Sequence, residues 1–358
     1  MWTKFPNQDF TKDMRGWPKG KPRKYTKADE ARIKKIRDEL IKDSSDDFYC
    51  GATVILQEYR KRYPNFRPPT LRFIGRVLVK SGMAEQQKKH RNKGVAHYLH
   101  YPEYSIYHLG ERVLEVDFIG HKFIKGRTEP INFIGFSFKK EPKLRHFKRI
   151  SGQTGDNVIR ESKEFFKKFE KPDVIKMDND FAMAGSSSYP RVISQVVVDY
   201  LKEQIIPIYS VPRRPFSQAS IEGNNSVFSR KFWNRFDFKN TQEIDEKLEL
   251  FNLASQRYLE YQPPKEKRKK KQKFIPKIYF IRKVFENEQT GKGYITLTND
   301  RVFIRKSYIN LFVLAEWNLK DEELYVYFED QQKLKRIKKI KFKINQRSKE
   351  KCRRLYVI

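Results

Sequence analysis

The sequence predicts a mixed α/β protein in three parts: helices first, then a mixed sheet of five strands with helices on its faces, then a small antiparallel β-barrel. Three observations predict it. Apolar residues recur at helical spacing up to Gly82, and from Val113 they alternate with polar ones in short runs separated by helical stretches. Beyond the Pro263-Pro264 pair, closely spaced alternating runs return. At 358 residues the chain is also too long for one ordinary core, which asks for two or three domains.

Residues 1–24 are rich in Lys, Pro and Gly and read as a flexible basic arm. Residues 26–42 read as a helix, with Ile33, Ile36 and Leu40 on one side, and residues 51–62 as a second, with Val54, Ile55 and Tyr59. Residues 63–68 make a turn, and Pro69 suits the first turn of a third helix ending near Gly82. That helix carries Leu71, Ile74, Val77 and Leu78 on one side and Arg72, Arg76 and Lys80 on the other. Two short helices joined by a turn, the second basic on its outer face, make the pattern of a helix-turn-helix over residues 25–84; a solvated three-helix bundle has the same pattern.

Residues 85–110 form a basic, aromatic linker. Residues 113–118, 131–138 and 145–150 are three successive strands and imply an antiparallel start to the sheet. Thr154 caps a helix whose Val158, Ile159, Phe165, Phe166 and Phe169 share a face. A short buried strand follows at 174–177, a helix at 192–201, the fifth strand at 205–209 and a helix at 217–233. Asn240 with Glu243 forms a capping box before a long helix to Tyr261, which closes a core spanning residues 111–262. A charged linker, 263–275, leads to alternating runs at 294–298, 301–305, 311–317 and 323–328, the makings of a barrel within 276–345. Residues 346–358 are a basic tail.

Lys and Arg number 77 against 44 Asp and Glu, a formal charge of +33. Such self-repulsion calls for a polyanionic partner, nucleic acid or an anionic membrane surface. No apolar stretch approaches the roughly 20 residues needed to span a bilayer and no signal peptide opens the chain, so nucleic acid is the expected partner, with no membrane and no small-molecule substrate. Composition alone would equally suit a ribosomal or nucleoid protein. Cys50 and Cys352 are far apart, and none of the six histidines has a Cys at zinc-finger spacing, so no structural zinc is expected. The composition suits a reducing cytosol, with the protein associated with the nucleoid.

Three carboxylates stand out by position. Asp117 lies in the first strand, Asp178 directly after the buried strand, and Glu222 on the helix that follows the fifth strand. A carboxylate at the end of an apolar strand is poorly placed for packing and well placed to face a crevice at the sheet edge. Several converging there would repel unless divalent cations held them, and Mg²⁺ prefers such oxygen sites. Taken singly, an Asp after a strand is more often a turn residue and a Glu on a helix more often solvated. Glu115 shares a face with Asp117 and reads as structural; Asp180 reads as a turn residue or a support for Asp178.

In the motifs Leu114-Glu115-Val116-Asp117-Phe118, Ile175-Lys176-Met177-Asp178-Asn179 and Pro215-Phe216-Ser217-Gln218 leading into Ile221-Glu222, the chain resembles the retroviral integrases and related bacterial insertion-sequence transposases. The resemblance covers nearly the whole chain. It implies a D-D-E triad on an RNase H-like integrase core, with a helix-turn-helix before it and an SH3-like barrel after it. The spacer at 179–221 is longer than the archetype's, Asp180 stands where a glycine often follows the Asp-Asn pair, and the usual glycine before Glu222 is missing.

By resemblance, Asp117, Asp178 and Glu222 would bind two Mg²⁺ ions, with Mn²⁺ able to substitute. Water would cleave at the ends of the element's DNA, and the freed 3′-hydroxyl would attack target DNA. A basic residue one or two turns after the Glu touches DNA in many relatives; here Arg230 or Lys231 would serve. Arg213 and Arg214 are candidate phosphate contacts. Arg72, Arg76 and Lys80 would meet DNA from the third helix, the two arginines reading bases or only gripping phosphate. Two ends held together imply a homo-oligomer on DNA, with the long helix to Tyr261 as interface or as core. The alternatives are an RNase H-like nuclease that cuts without joining and a non-enzymatic DNA-binding regulator derived from a transposase.

Overall fold

The computed structural model describes residues 24–42, 48–85, 102, 106, 108–185, 189–212, 219–263, 274–353 and 355. The basic arm through residue 23, most of both linkers, Arg213, Arg214 and the Pro215-Phe216-Ser217-Gln218 motif lie outside the described residues. The chain divides into two compact units, residues 1–90 and 91–358.

The first unit contains α1 (Lys27–Lys42), α2 (Ala52–Arg62) and α3 (Leu71–Lys80). Ile33, Ile36, Leu40, Ile55, Tyr59, Ile74, Val77 and Leu78 meet in one apolar core. The third helix starts after Pro69, not on it: Thr70 is its N-cap and accepts the Phe73 N–H at 3.3 Å. Its first residue, Leu71, expected inside, is exposed.

The second unit is built on one mixed sheet of nine strands rather than the five expected. Its order is β12-β11-β10-β6-β5-β4-β1-β2-β3. The five foreseen strands are β1 (Val113–Lys122), β2 (Ile131–Phe138), β3 (Leu144–Ile150), β4 (Val174–Met177) and β5 (Ile206–Tyr209). The first three are mutually antiparallel, while β4 and β5 run parallel to β1. The additional four come from the segment read as a barrel: β6 (Lys277–Lys283), β10 (Phe312–Asn318), β11 (Glu323–Asp330) and β12 (Lys333–Lys341). They join because β6 lies parallel to β5, with Ile208 opposite Tyr279 and Tyr209 opposite Phe280. The run 278–281 is buried on both faces, as an interior strand requires. Between β6 and β10, the strands β7 (Phe285–Glu286), β8 (Gly293–Leu297) and β9 (Asp300–Ile304) form a separate three-stranded sheet.

Helices among the described residues of this unit include α4 (Gly155–Lys168), α5 (Phe181–Ala184), α6 (Gln195–Lys202), α7 (Ala219–Lys231), α8 (Thr241–Tyr258) and α9 (Gln346–Arg353). Side chains of Thr154, Ser194 and Asn240 cap α4, α6 and α8 by accepting an N–H three residues on. In the last of these, Glu243 reaches back to the Lys239 N–H at 2.9 Å. Strand alternation sends Leu114, Val116, Ile175 and Met177 into the main core with Val158, Phe165, Val196 and Val197 of α4 and α6. On the opposite face, Phe228 of α7 packs against Phe133 and Phe147. In α9, Ser348 and Cys352 are buried, and Ser348 Oγ accepts the Ile193 N–H. Among the described residues no helix is long and apolar enough to cross a membrane.

Candidate active site

Asp117 lies within β1 and Asp178 follows β4. The parallel register pairs Glu115 with Lys176 and Val116 with Met177, so one step further sets Asp117 beside Asp178. Adjacent strands lie about 4.8 Å apart, which makes the two aspartates neighbours on the face toward α7. On the same face, two residues earlier, stands an ion pair: Lys176 Nζ donates to Glu115 Oε1 at 3.2 Å, with the side chains only 8% and 7% exposed. Glu115 Oε2 also accepts the Ile221 N–H at 3.0 Å. That N–H is in the first turn of α7, where donors lack helical partners, so the carboxylate both fills one and favours the helix dipole. The expectation that Glu115 is structural matches these contacts.

Two consecutive asparagines fix α7 on the sheet. Asn224 Nδ2 donates to Ser137 Oγ at 2.6 Å, and its Oδ1 accepts Arg145 Nε at 2.7 Å. Asn225 Nδ2 donates to Asp117 Oδ2 at 3.0 Å. Gly135 stands opposite Asp117 in β2, and a Cβ there would come within 3.2 Å of the Phe147 ring and 3.5 Å of Asn225 Oδ1. The tight neighbour is the Phe147 ring, which opposes a side chain here, while Asn225 Oδ1 stays at ordinary contact distance.

Glu222 follows Ile221 in the first turn of α7 and is exposed. Its charge acts on Asp117, but among the described residues no three His, Cys, Asp or Glu side chains gather closely enough to hold a metal. Asp117 and Asp178 are thus brought together, with Glu222 in electrostatic reach and not converged on a common point.

The electrostatics are those of crowded acids. Burial pushes the Asp117 carboxyl up to about 7; Asp178 and Glu222 add to the rise, and the Asn225 amide and the Phe118 N–H oppose it. Burial also raises Asp178, with Asp180 contributing, against the Asp180 N–H that Asp178 Oδ1 accepts at 2.8 Å. Partial desolvation raises Glu222. Hard carboxylate oxygens whose charge is disfavoured by one another fit Mg²⁺ or Mn²⁺, which would supply the missing positive charge.

The loop after Asp178 is held by a residue that sequence reasoning missed. Arg282 of β6 is buried, and its guanidinium donates to Asn179 Oδ1 at 2.7 Å, the Ser210 carbonyl at 2.8 Å and the Thr296 carbonyl at 2.9 Å. Asn179 Nδ2 in turn donates to the Ser210 carbonyl at 2.8 Å. Burial lowers Arg282 to about 9. Asp180 caps α5 by accepting the Ala182 N–H at 2.9 Å. The signal for Arg282 was a cation ending the apolar run 278–281; Asn224 and Asn225 gave none beyond their nearness to Glu222.

Arg72, Arg76 and Lys80 lie on α3 in the first unit. Arg230 and Lys231 occupy the last turn of α7, with Arg230 Nε 3.4 Å from the Ser226 carbonyl.

No family model matches the chain, and no curated protein matches it. Among solved structures, it is similar to the catalytic core domain of BIV integrase at 11% identity and a TM-score of 0.29, covering 40% of this chain and 83% of that one. It is also similar to a chain of the simian T-cell lymphotropic virus intasome in complex with the PP2A regulatory subunit B56 gamma, at 11% identity and a TM-score of 0.36, covering 84% of this chain and 95% of that one.

Proposed function

We propose that this chain is a DDE-type polynucleotidyl transferase on an RNase H-like core, a transposase or integrase that cuts element ends and joins them to target DNA. The observation that carries the reading is the Asp117–Asp178 pair, two half-buried acids set side by side by the β1–β4 register on the face toward α7. The strand order β3-β2-β1-β4-β5, antiparallel and then parallel, supports the same reading. The formal charge of +33 supports DNA as the partner.

Two divalent cations held by Asp117, Asp178 and Glu222 would activate the attacking oxygen and stabilise the leaving one in phosphoryl transfer. Asn225 orients Asp117, the Asp180 N–H orients Asp178, and the Glu115 cap with the Asn224 bonds fixes the helix that carries Glu222. Water first cleaves the phosphodiester at the element end, releasing a 3′-hydroxyl; that hydroxyl attacks a target phosphodiester and displaces a new 3′-oxygen. Arg72, Arg76, Lys80, Arg213, Arg214, Arg230 and Lys231 would contact DNA. Holding two ends requires a multimer, and α8 supports one: it buries Ile244, Leu248 and Phe251 and exposes Leu250 and Leu253.

A second reading, a DNA-binding regulator derived from a transposase, is favoured by one observation: among the described residues no three His, Cys, Asp or Glu side chains gather closely enough to hold a metal. Asp117→Asn decides between them. On DNA flanking the coding region, the variant should lose Mg²⁺-dependent cleavage and strand transfer while binding within about twofold of wild type. A variant that still cuts puts the site elsewhere. A wild type that binds without cutting establishes the regulator, and one that cuts without joining establishes a simple nuclease.

A further inference from the structure

Beside the Asp178 loop, where β4 and β5 end and the small sheet begins, lies a cavity of about 870 Å³. Its size falls within the usual range for ligand sites, a few hundred to about a thousand Å³. Arg282 and Lys283 line it, and among the described residues no acidic one does. The acceptors that Arg282 reaches are all neutral, the Asn179 amide and backbone carbonyls of Ser210, Ile281 and Thr296, so its charge is met by no carboxylate among the described residues. The lining also includes Thr298, whose Oγ1 is buried without a hydrogen-bond partner among them. An orphaned buried hydroxyl is costly unless something completes it. Thr298 further holds a left-handed φ of 42°, strained for a β-branched residue.

Two rings on the lining are unusually bare, Phe181 at 69% and Phe285 at 46% exposed. Lys283 Nζ stands over the Phe285 ring, 5.8 Å from its centroid, within the reach of a cation–π contact. Phe181 opens α5, two residues beyond Asn179. Cations without counter-charge ask for an anion. Exposed rings ask for a flat apolar partner. One ligand carries both features: a nucleotide.

Resting on the reading of the chain as a DNA-cutting enzyme, we propose that this cavity receives a single unpaired nucleotide of the DNA substrate. The base lies against Phe181 and Phe285, and the phosphate faces Lys283, with the buried charge of Arg282 behind it. The cavity adjoins the Asp178 loop, so a nucleotide drawn out of the duplex there lies next to the phosphodiester to be cut. A base that is already unpaired enters without the unpairing cost and binds more tightly.

The test uses full-length Asp117→Asn protein without divalent ions, so that binding is read apart from chemistry. Two duplexes of one sequence are compared by fluorescence anisotropy, one fully paired and one ending in a single unpaired 2-aminopurine nucleotide. The unpaired duplex should bind about tenfold more tightly, the effect of one base stacked on an aromatic ring, and its 2-aminopurine should be quenched. Phe285→Ala and Phe181→Ala should each reduce the preference, and together remove it. Phe303→Ala, a comparably exposed ring outside the lining, should retain it. Equal affinity of the two duplexes, or a preference that survives both substitutions, overturns this proposal and leaves the catalytic reading intact. Binding of neither duplex overturns both.

Discussion

Replacing Glu115 with Gln tests whether the residue beside the aspartate pair holds the site's shape or belongs to its acids. The wild-type carboxylate has two duties, Lys176 Nζ at 3.2 Å through one oxygen and the Ile221 N–H at 3.0 Å through the other. A glutamine side chain has one acceptor oxygen and an NH₂ in place of the second, so either the ammonium or the helix N–H faces a donor. Removing one partner of a buried pair costs about 3–5 kcal/mol, because the remaining charge stays desolvated. The retained amide oxygen offsets part of this, so a loss of about 3 kcal/mol is expected for Glu115→Gln and about the same for Lys176→Met. The double variant removes both charges and should recover most of the loss, leaving about 1 kcal/mol, which is a strong negative departure from additivity. Urea unfolding of the four proteins at pH 7.5, read as shifts in midpoint at unchanged slope, measures the cycle. Single costs below about 1 kcal/mol, or costs that simply add, would refute the argument that this pair is coupled in a low-dielectric setting. Retention of Mg²⁺-dependent cutting by folded Glu115→Gln separates a supporting carboxylate from a fourth ligand.

Two further outcomes follow from buried cations and would-be cations. Burial, with Lys168 and Lys148 nearby, lowers His146 to about 3, so the fold favours its neutral form; the contribution is present above about 6.5 and is lost as pH falls toward 3. Wild type should lose roughly 1.4 kcal/mol per pH unit below that point relative to His146→Leu, and parallel stability curves between pH 7 and 4.5 would exclude it. Arg282→Lys should destabilise by about 2–3 kcal/mol in denaturant unfolding, since one ammonium cannot fill the diverging acceptors on Asn179, Ser210 and Thr296; an unchanged midpoint would show that the guanidinium geometry is dispensable.

What was legible in the sequence followed local pattern. The alternation around Asp117, the buried run before Asp178 and the caps at Thr154 and Asn240 each declare themselves within a few residues, and those elements stand where they were expected. The pairing of β5 with β6 did not declare itself, because strand partners separated by two helices and a charged linker leave no mark in either strand's period. For the same reason Arg282 looked like the polar end of an apolar strand, when its acceptors come from the loops after β4 and β5 and from β8. Glu115 was visible as an acid on the right face, but its partner Lys176 emerges only once β1 and β4 are set in register. Glu222 was found by motif, and its spacing from the aspartates is a property of how α7 docks through Asn224 and Asn225, which no single-sequence pattern encodes.

The continuous ladder from β3 to β12 bears on how such a protein can be divided or inherited. Both outer strands discourage further pairing with cations, Lys333, Lys335, Arg336, Lys338, Lys339 and Lys341 on β12 and Arg145, Lys148 and Arg149 on β3. The interior strand β5 carries no cation: its residues are Ile206, Pro207, Ile208 and Tyr209. A fragment ending at residue 262 would leave β5 as an edge blunted only by Pro207, and strip Asn179 of Arg282 in the same cut. The part that bears the acids and the part that follows the charged linker therefore share one sheet, and Asn179 keeps its Arg282 contact only when both are present.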